Sequence, residues 1–186
     1  MKKFMILIAG MPGTGKTRYA NHLSSALCIP LICKDKLKEI IWDKTHYDSR
    51  IRAESQKYGA LAYDLSYHFC EILMRTDQSF VFESNFVSQC KDFLNPMVSK
   101  YGYKAITVLF DGNIEIIHKR FLERDITEER HPGLVSNSYF SDFNFFKSAT
   151  EACRTFCFGD KKIVVDATDF SNISYDRITE EVIKQL

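Results

Sequence analysis

Apolar runs alternate with amphipathic stretches along the chain. Residues 4–9 form a continuous apolar run, the mark of a strand buried on both faces. A helix is predicted over Lys16–Leu27, then a short second strand at 30–33 and a second helix beginning over 35–42. The polar stretch 48–56 reads as loop or exposed helix. From Tyr58 the helical period is clear, since Tyr58, Leu61, Ala62, Leu65, Phe69, Ile72 and Leu73 recur on one face. A third strand follows at 80–82. Residues 91–100 are helical in character, but Pro96 is expected to limit them to short pieces. A fourth strand is predicted at 105–110 and a helix at 114–124. Residues 125–137, with His-Pro-Gly and several charges, read as a mobile loop. The aromatic-rich stretch 139–156 is predicted helical, 163–165 a fifth strand, and 174–186 a closing helix.

Strands rich in Ile, Val, Leu and Phe that alternate with helices predict an α/β fold, with a parallel sheet covered on both faces. No internal repeat, low-complexity tract or linker interrupts the pattern. One domain is therefore expected over 1–186, which suits a length of 186 residues.

Composition narrows the class. Hydrophobic residues are 45% and charged residues 26%, which excludes a mostly disordered chain, a collagen and a disulfide-dense mini-protein. Lys and Arg number 25 against 24 Asp and Glu, a net of +1. That balance argues against binding to nucleic acid or membrane through bulk charge, while leaving a local basic groove open. The six Cys are scattered, with no Cys-x-x-Cys pair, and read as small buried hydrophobes. Cys153 and Cys157 are one helical turn apart and so could share a face. The five His are isolated, which argues against zinc. Lys2 and Lys3 before an apolar run resemble a secretory signal, but no small-residue cleavage site follows. No stretch approaches the length of a membrane span, so a cytoplasmic protein is expected.

The chemistry starts at Gly10-Met11-Pro12-Gly13-Thr14-Gly15-Lys16-Thr17, which fits G-x-x-x-x-G-K-[ST] between a buried strand and a helix. Glycines let backbone N–H groups curl around phosphate oxygens. The helix N-terminus, which runs on into Arg18, adds free donors and a positive dipole end. Lys16 would reach the β- and γ-phosphates, and the Thr17 hydroxyl would ligate Mg²⁺. A chance match in a chain of this size is on the order of one in a hundred at average residue usage.

Phosphoryl transfer also needs carboxylates near that loop. In open α/β sheets they sit at the carboxyl ends of strands. Asp35, Glu83, Asp111 and Asp166 all follow predicted strands. An acid there also serves as a helix cap or turn residue, and Asp111 before Gly112-Asn113 looks most like a turn. Arg120 and Arg124 share a helix face, and Arg130 lies in the following loop. Arginines on a closing lid can cover transition-state charge. Glu123, Glu128 and Glu129 are interleaved, so plain surface ion pairs are the competing reading.

These features resemble the small P-loop kinases and phosphotransferases, including polynucleotide 5′-hydroxyl kinase, zeta toxin-like kinases, chloramphenicol phosphotransferase and gluconate kinase. Asp35-Lys36-Leu37-Lys38 is similar to the group's Asp-x-x-Arg segment, with Lys38 in place of the Arg. The resemblance implies Asp35 as the base facing the acceptor. It implies Glu83, where the group carries Asp, beside the metal, and Arg120, Arg124 and Arg130 in a helical lid over about 120–137. Asp166-Ala167-Thr168-Asp169 looks like the loop that lies against the nucleotide base, so Asp166 and Thr168 join Gly10–Thr17, Arg18 and Arg120 as candidate nucleotide contacts. The implied fold is a three-layer P-loop NTPase fold with strand order 2-3-1-4-5.

The expected activity is an ATP- and Mg²⁺-dependent kinase acting on a small molecule or nucleotide. Lys16, Asp35, Arg124 and Arg130 are the candidate catalytic groups, and Thr17 and Glu83 the candidate metal ligands. Segment 48–75 is long enough to wall an acceptor pocket, with Tyr47, Tyr58, Tyr63 and Tyr67 as candidate lining and core packing as the alternative. A polynucleotide 5′-hydroxyl kinase is the nearest alternative, though no basic channel is evident. An ATP-binding hydrolase or switch acting through a partner is another. A guanine-reading Asn-Lys-x-Asp segment is not present in the sequence.

Overall fold

A computed structural model describes residues 3–127, 129–136 and 138–186. Met1, Lys2, Glu128 and Asn137 lie outside the described residues, and with them the surface ion pairing expected of Glu128 and the end of the 125–137 loop. Five parallel strands form one sheet: β1 (Phe4–Gly10), β2 (Leu31–Cys33), β3 (Phe80–Glu83), β4 (Lys104–Asp111) and β5 (Lys161–Asp166). Their order is β2-β3-β1-β4-β5, as the resemblance implies.

The central strand explains the layering. On β1, Met5, Leu7 and Ala9 face one side, against Phe80, Phe82, Phe86 and Leu94. Ile6 and Ile8 face the other, against Tyr19, Leu23 and Val182. All five β1 side chains are fully buried, each worth roughly 1.5–3 kcal/mol where large and apolar. A period of two on a strand apolar at every position demands cover on both faces. Helices α1 (Lys16–Leu27) and α7 (Tyr175–Gln185) cover the second face. Helices α3 (Arg52–Arg75) and α4 (Cys90–Tyr101) cover the first. The strand β5 lies at the sheet edge and alternates, with Ile163 and Val165 buried and Val164 exposed.

The remaining helices gather at the carboxyl end of the sheet. These are α2 (Lys34–Thr45), α5 (Ile114–Asp125) and α6 (Phe143–Arg154). Asn113 caps α5 by accepting from the amides of Glu115 and Ile116, and Met11 packs between Ile117, Phe121 and Phe146. No helix of the described residues is long and apolar enough to cross a membrane.

Four local expectations change. Pro96 does not divide α4, which runs unbroken through it. The carbonyl that Pro96 leaves without its amide belongs to Asp92, and both residues are exposed, so water can satisfy it. The 48–56 stretch is half helix, because α3 starts at Arg52. The helix predicted over 139–156 begins only at Phe143, where Asp142 accepts from the Phe145 amide; a 3₁₀ turn, Ser138–Ser141, precedes it. It ends at Arg154, so Cys157 lies beyond the helix and shares no face with Cys153.

The fourth change concerns the loop after α5. It is packed against α2 through a 3₁₀ turn, Pro132–Leu134. Tyr47 Oη donates to the Gly133 carbonyl at 2.9 Å, and Ser49 Oγ donates to the Pro132 carbonyl at 2.6 Å. Gly133 sits so close to Trp42 that an added Cβ would be 2.6 Å from the Trp42 Cβ.

Two glycines test these packing arguments in opposite directions. Gly159 has φ +84, and a Cβ there would be 2.1 Å from the Ala105 carbonyl oxygen, so Gly159→Ala should destabilise by about 2–5 kcal/mol. Gly59 lies inside α3 with nothing within 4 Å of its would-be Cβ. Gly59→Ala should therefore stabilise by roughly 0.5–1 kcal/mol. Urea unfolding of both variants reads the two signs.

Candidate active site

Strand β1 ends in a tight loop that turns directly into α1. Gly10 has φ +139, and a Cβ there would lie 2.2 Å from the Phe110 carbonyl oxygen, so the strand pair β1·β4 closes only over glycine. Gly13 and Gly15 take left-handed conformations at φ +87 and +80, which turns the loop around its own centre. Thr14 Oγ1 donates to the Met11 carbonyl at 2.9 Å, and Lys16 Nζ donates to the same oxygen at 3.0 Å.

Beneath this loop lies Glu83, at the end of β3 and 2% exposed. Its Oε2 accepts from the Thr17 hydroxyl at 3.2 Å and from the Cys33 thiol at 2.9 Å. Its Oε1 is 3.8 Å from Lys16 Nζ. Burial pushes the Glu83 carboxyl pKa up, and Lys16 pulls against that shift. Burial likewise lowers the Lys16 pKa, with Glu83 and Asp35 opposing. The Cys33 thiol is pushed far up, first by burial and then by the Glu83 charge, so it stays protonated.

Next to the loop, the first turns of α2 carry three chemical groups. Asp35 pairs with Lys34 at 2.7 Å, and its side chain remains one-third exposed, at 33%. Burial would raise its pKa, but Lys34, Lys16 and Arg130 outweigh burial and hold the carboxyl below its ordinary range. Lys34 keeps its charge: burial opposes it, and Asp35 and Glu83 more than offset that. Lys38 lies one turn on, 9% exposed, donating to Ser55 Oγ at 2.9 Å. Burial and the like charge of Lys34 lower its pKa to about 8.

A cavity of about 290 Å³ joins these parts. Lys16, Thr17 and Arg18 form one wall, Asp35 and Lys38 another, and Arg124 and Arg130 a third. Burial, and then the nearby charge of Arg130, lower the Arg124 pKa, though a guanidinium stays protonated in any accessible range. Arg130 lies 3.2 Å from Asp125 and donates to the Leu134 carbonyl at 2.8 Å, which fixes the docked loop at the cavity rim.

The candidate groups therefore separate. Pro12, Gly13, Gly15, Lys16, Thr17, Arg18, Asp35, Arg124 and Arg130 meet at one cavity, while Gly10, Met11 and Thr14 form the buried body of the loop. Arg120 is not on a lid. It donates to the carbonyls of Gly13, Ala167 and Thr168 at 2.9–3.3 Å and lies 3.7 Å from the Phe170 ring centre, stitching the loop to the segment after β5. Asp166, the last residue of β5, and Thr168, in that segment, lie away from this cavity: Asp166 Oδ1 accepts from the Thr168 amide at 2.9 Å. Asp111 is held by Arg154 at 2.9 Å.

The four tyrosines proposed as pocket lining take the packing alternative. Tyr47 stacks on Tyr58 at 4.3 Å, Tyr67 stacks on Phe93 at 4.9 Å, and Tyr63 donates to the Asn85 carbonyl. Tyr63 and Tyr47 nevertheless support Lys34 and Lys38, whose ammonium groups lie 5.4 and 5.9 Å from their ring centres. Sequence reasoning missed Lys34, Ser55 and Asn85 as cavity residues. For Lys34 a signal existed, since it directly precedes Asp35 at a helix start. For Ser55 and Asn85 none did.

Lys38 carries a stability prediction. Its folded-state pKa of about 8 lies below the ordinary 10.5, so the unfolded chain binds more protons between those values. Its contribution to stability then rises as pH climbs from 8 towards 10.5. Lys38→Met, which removes the buried charge, should raise Tm at pH 7 by about 2–4 °C per kcal/mol recovered. The advantage should shrink as pH passes 8, read from melting curves of both proteins across that range.

A scan against family models finds no match, nor does a search of curated proteins. Solved structures do match. A candidate kinase from Chloroflexus aurantiacus J-10-fl aligns over 100% of both chains at 25% identity with a TM-score of 0.88. Shikimate kinase from Bacteroides thetaiotaomicron aligns over 98% of this chain and 97% of its own at 15% identity and a TM-score of 0.61. The APS kinase of Mycobacterium tuberculosis, solved with AMPPNP and APS, aligns over 98% and 96% at 13% identity and a TM-score of 0.59. The structural neighbours are P-loop kinases, and the chain has their fold.

Proposed function

We propose that the protein is an ATP- and Mg²⁺-dependent phosphotransferase that moves the γ-phosphate to a hydroxyl of a small molecule or nucleotide. One observation carries this reading: a phosphate loop with its lysine, a carboxylate and two arginines share a single cavity. The volume of about 290 Å³ beneath a docked loop favours a small acceptor over a nucleic-acid end.

Mg²⁺ would be held by Thr17 and Glu83. Their oxygens already converge at 3.2 Å, and Mg²⁺ in such sites takes one or two protein oxygens besides phosphate and water. When bound, Mg-ATP supplies the transferable phosphoryl group. The amides of the 10–17 loop cradle the phosphates, and Lys16 balances their charge. Arg124 and Arg130 neutralise the equatorial oxygens, and the segment carrying Arg130 serves as the lid that excludes water. The nucleotide base is assigned to the side where Arg120 and Phe170 meet the loop of Asp166 and Thr168. Asp35 holds the acceptor hydroxyl and takes its proton. Its depressed pKa makes it a weak base. That suits a loose transition state, in which the proton leaves late and orientation matters more.

The direct test is transfer from γ-labelled ATP with Mg²⁺ to a panel of nucleosides, sugars, antibiotics and 5′-hydroxyl oligonucleotides. A labelled small acceptor is expected; label on oligonucleotides alone would move the assignment to a polynucleotide kinase. Acceptor-independent hydrolysis alone, across the whole panel, would replace the kinase reading with a nucleotide switch. Lys16→Ala should weaken nucleotide binding and cut turnover by about 10²–10³. Asp35→Asn should bind nucleotide within about twofold of wild type while losing about 10²–10⁴ in turnover. Retained transfer in Asp35→Asn would remove Asp35 from the chemistry.

A further inference from the structure

The sheet ends at β5, and that edge is open. Among the described residues β5 pairs with β4 on its inner side and with no further strand. The ladder fixes which backbone groups face out. The Ala167 amide donates to the Asp111 carbonyl, and Asp111 lies opposite Asp166. Backbone direction alternates along a strand. The N–H and C=O of Ile163 and Val165 therefore point to β4, and those of Lys162, Val164 and Asp166 point outward. The side chains alternate in step. Ile163 and Val165 are buried, while Lys162, Val164 and Asp166 are exposed, Val164 at 61%. A groove runs along the same edge, lined by β5 and by Arg177, Ile178 and Glu181 of α7.

An open edge strand is a template for another strand, and lysines commonly blunt such edges. Here the charges are arranged otherwise. The stretch Lys162-Ile163-Val164-Val165-Asp166 is complementary to its own reversal. Two copies can lie antiparallel about a two-fold axis through Val164. Lys162 of one then meets Asp166 of the other, Ile163 meets Val165, and the two Val164 side chains meet on the axis. Opposite residues of an antiparallel pair share a face, and in this register every pair does. The same register puts Lys162, Val164 and Asp166, whose backbone groups face outward, in the pairs that exchange both hydrogen bonds. A slip of one residue sets buried side chains against exposed ones. A slip of two sets Lys162 or Asp166 against Val164 and breaks the charge pairs. The axis also runs the two copies of α7 antiparallel, so Arg177 and Glu181, one turn apart beside the groove, are matched with opposite sign.

We propose that this edge is an interface with a second copy of the chain, in which two β5 strands pair antiparallel about Val164 and join the two sheets into one. Such an isologous contact closes on itself. It leaves β2 as the outer edge of each copy, a strand of three residues that offers little for further growth. The inference goes beyond the kinase reading and does not depend on it. It bears on the site nonetheless. Asp166 leads directly into Ala167 and Thr168, whose carbonyls hold Arg120 beside the phosphate loop. The paired ladder is short, so the association is weak, with a dissociation constant of roughly 10–100 µM.

Sedimentation equilibrium of the full chain from about 1 µM to about 0.5 mM reads the mass at each concentration. The mass should climb from one chain towards two, with no higher species. Val164→Lys sets two lysines on the axis and should abolish association over the whole range. An unchanged melting curve at the lowest concentration shows that this exposed position still folds. Charge reversal tests the register. Lys162→Asp and Asp166→Lys should each weaken association by about tenfold or more, and the double variant, which restores opposite pairs, should return to within about threefold of wild type. Hydrogen exchange reads the backbone: the amides of Lys162, Val164 and Asp166 should slow as concentration rises. A single chain at every concentration overturns the inference and leaves the edge to an extended segment of another protein. A dimer that Val164→Lys leaves intact, β5 amides that exchange at one rate throughout, or a double variant no tighter than the singles also overturns it.

Discussion

The carboxyl end of the sheet is organised around one buried carboxylate. Glu83 is 2% exposed, and an unpaired ion at that depth costs several kcal/mol. Its partners come from three directions: Thr17 and Lys16 from the start of α1, and Cys33 from the end of β2. Satisfying it therefore fixes where α1 begins, how β2 meets β3, and where the phosphate-loop lysine points. The register Ile8↔Glu83 sets the carboxylate beside the last turn of β1, directly under the loop. A glutamate suits this position because its extra methylene lets one carboxylate, still rooted in β3, reach both the Thr17 hydroxyl and the Cys33 thiol.

The second constraint is electrostatic. Six cations around a cavity of about 290 Å³ repel one another. The fold offsets this locally rather than globally. Asp35 answers Lys34, Asp125 answers Arg130, and Glu83 answers Lys16. Aromatic faces of Tyr63 and Tyr47 support Lys34 and Lys38 from below. What remains unbalanced is concentrated where ligands would enter, the usual place for stability to be traded against function. The near-neutral charge of the whole chain hides this completely, since +1 overall says nothing about six cations in one pocket.

That contrast explains what the sequence made legible. The first strand, the phosphate loop and the limits of α1 follow from local rules: an apolar run, glycines at fixed spacing, and a helix opened by Lys16-Thr17, while the strand order came only with the family resemblance those residues carry. Gly10 and Phe110 belong to neighbouring strands, so the close approach that requires a glycine is tertiary, yet the motif encodes it. Pro96 was misleading because its effect depends on whether water reaches the Asp92 carbonyl, which burial decides and sequence does not. Arg120 and Arg124 were indistinguishable at four-residue spacing. Only the segment after β5 shows that Arg120 is engaged by three carbonyls while Arg124 faces the cavity. Ser55 and Asn85 carry no local signal, since each reaches the cavity from an element that begins or ends there by tertiary packing.

The docked segment after α5 links these two constraints. Its 3₁₀ turn is held to the α2 side by Tyr47, Ser49 and the close contact of Gly133 with Trp42. His131 adds an edge-on contact to Trp42 and a 3.2 Å contact to Asp43. The same segment presents Arg130 to the cavity. Its resting place is therefore set by the acceptor-side helix, while its charge belongs to the phosphate side. Any movement that opened the segment would withdraw Arg130 from Asp35 and relieve Lys38 of a repelling neighbour in one step. Closure does the reverse and raises the cationic density around whatever is enclosed.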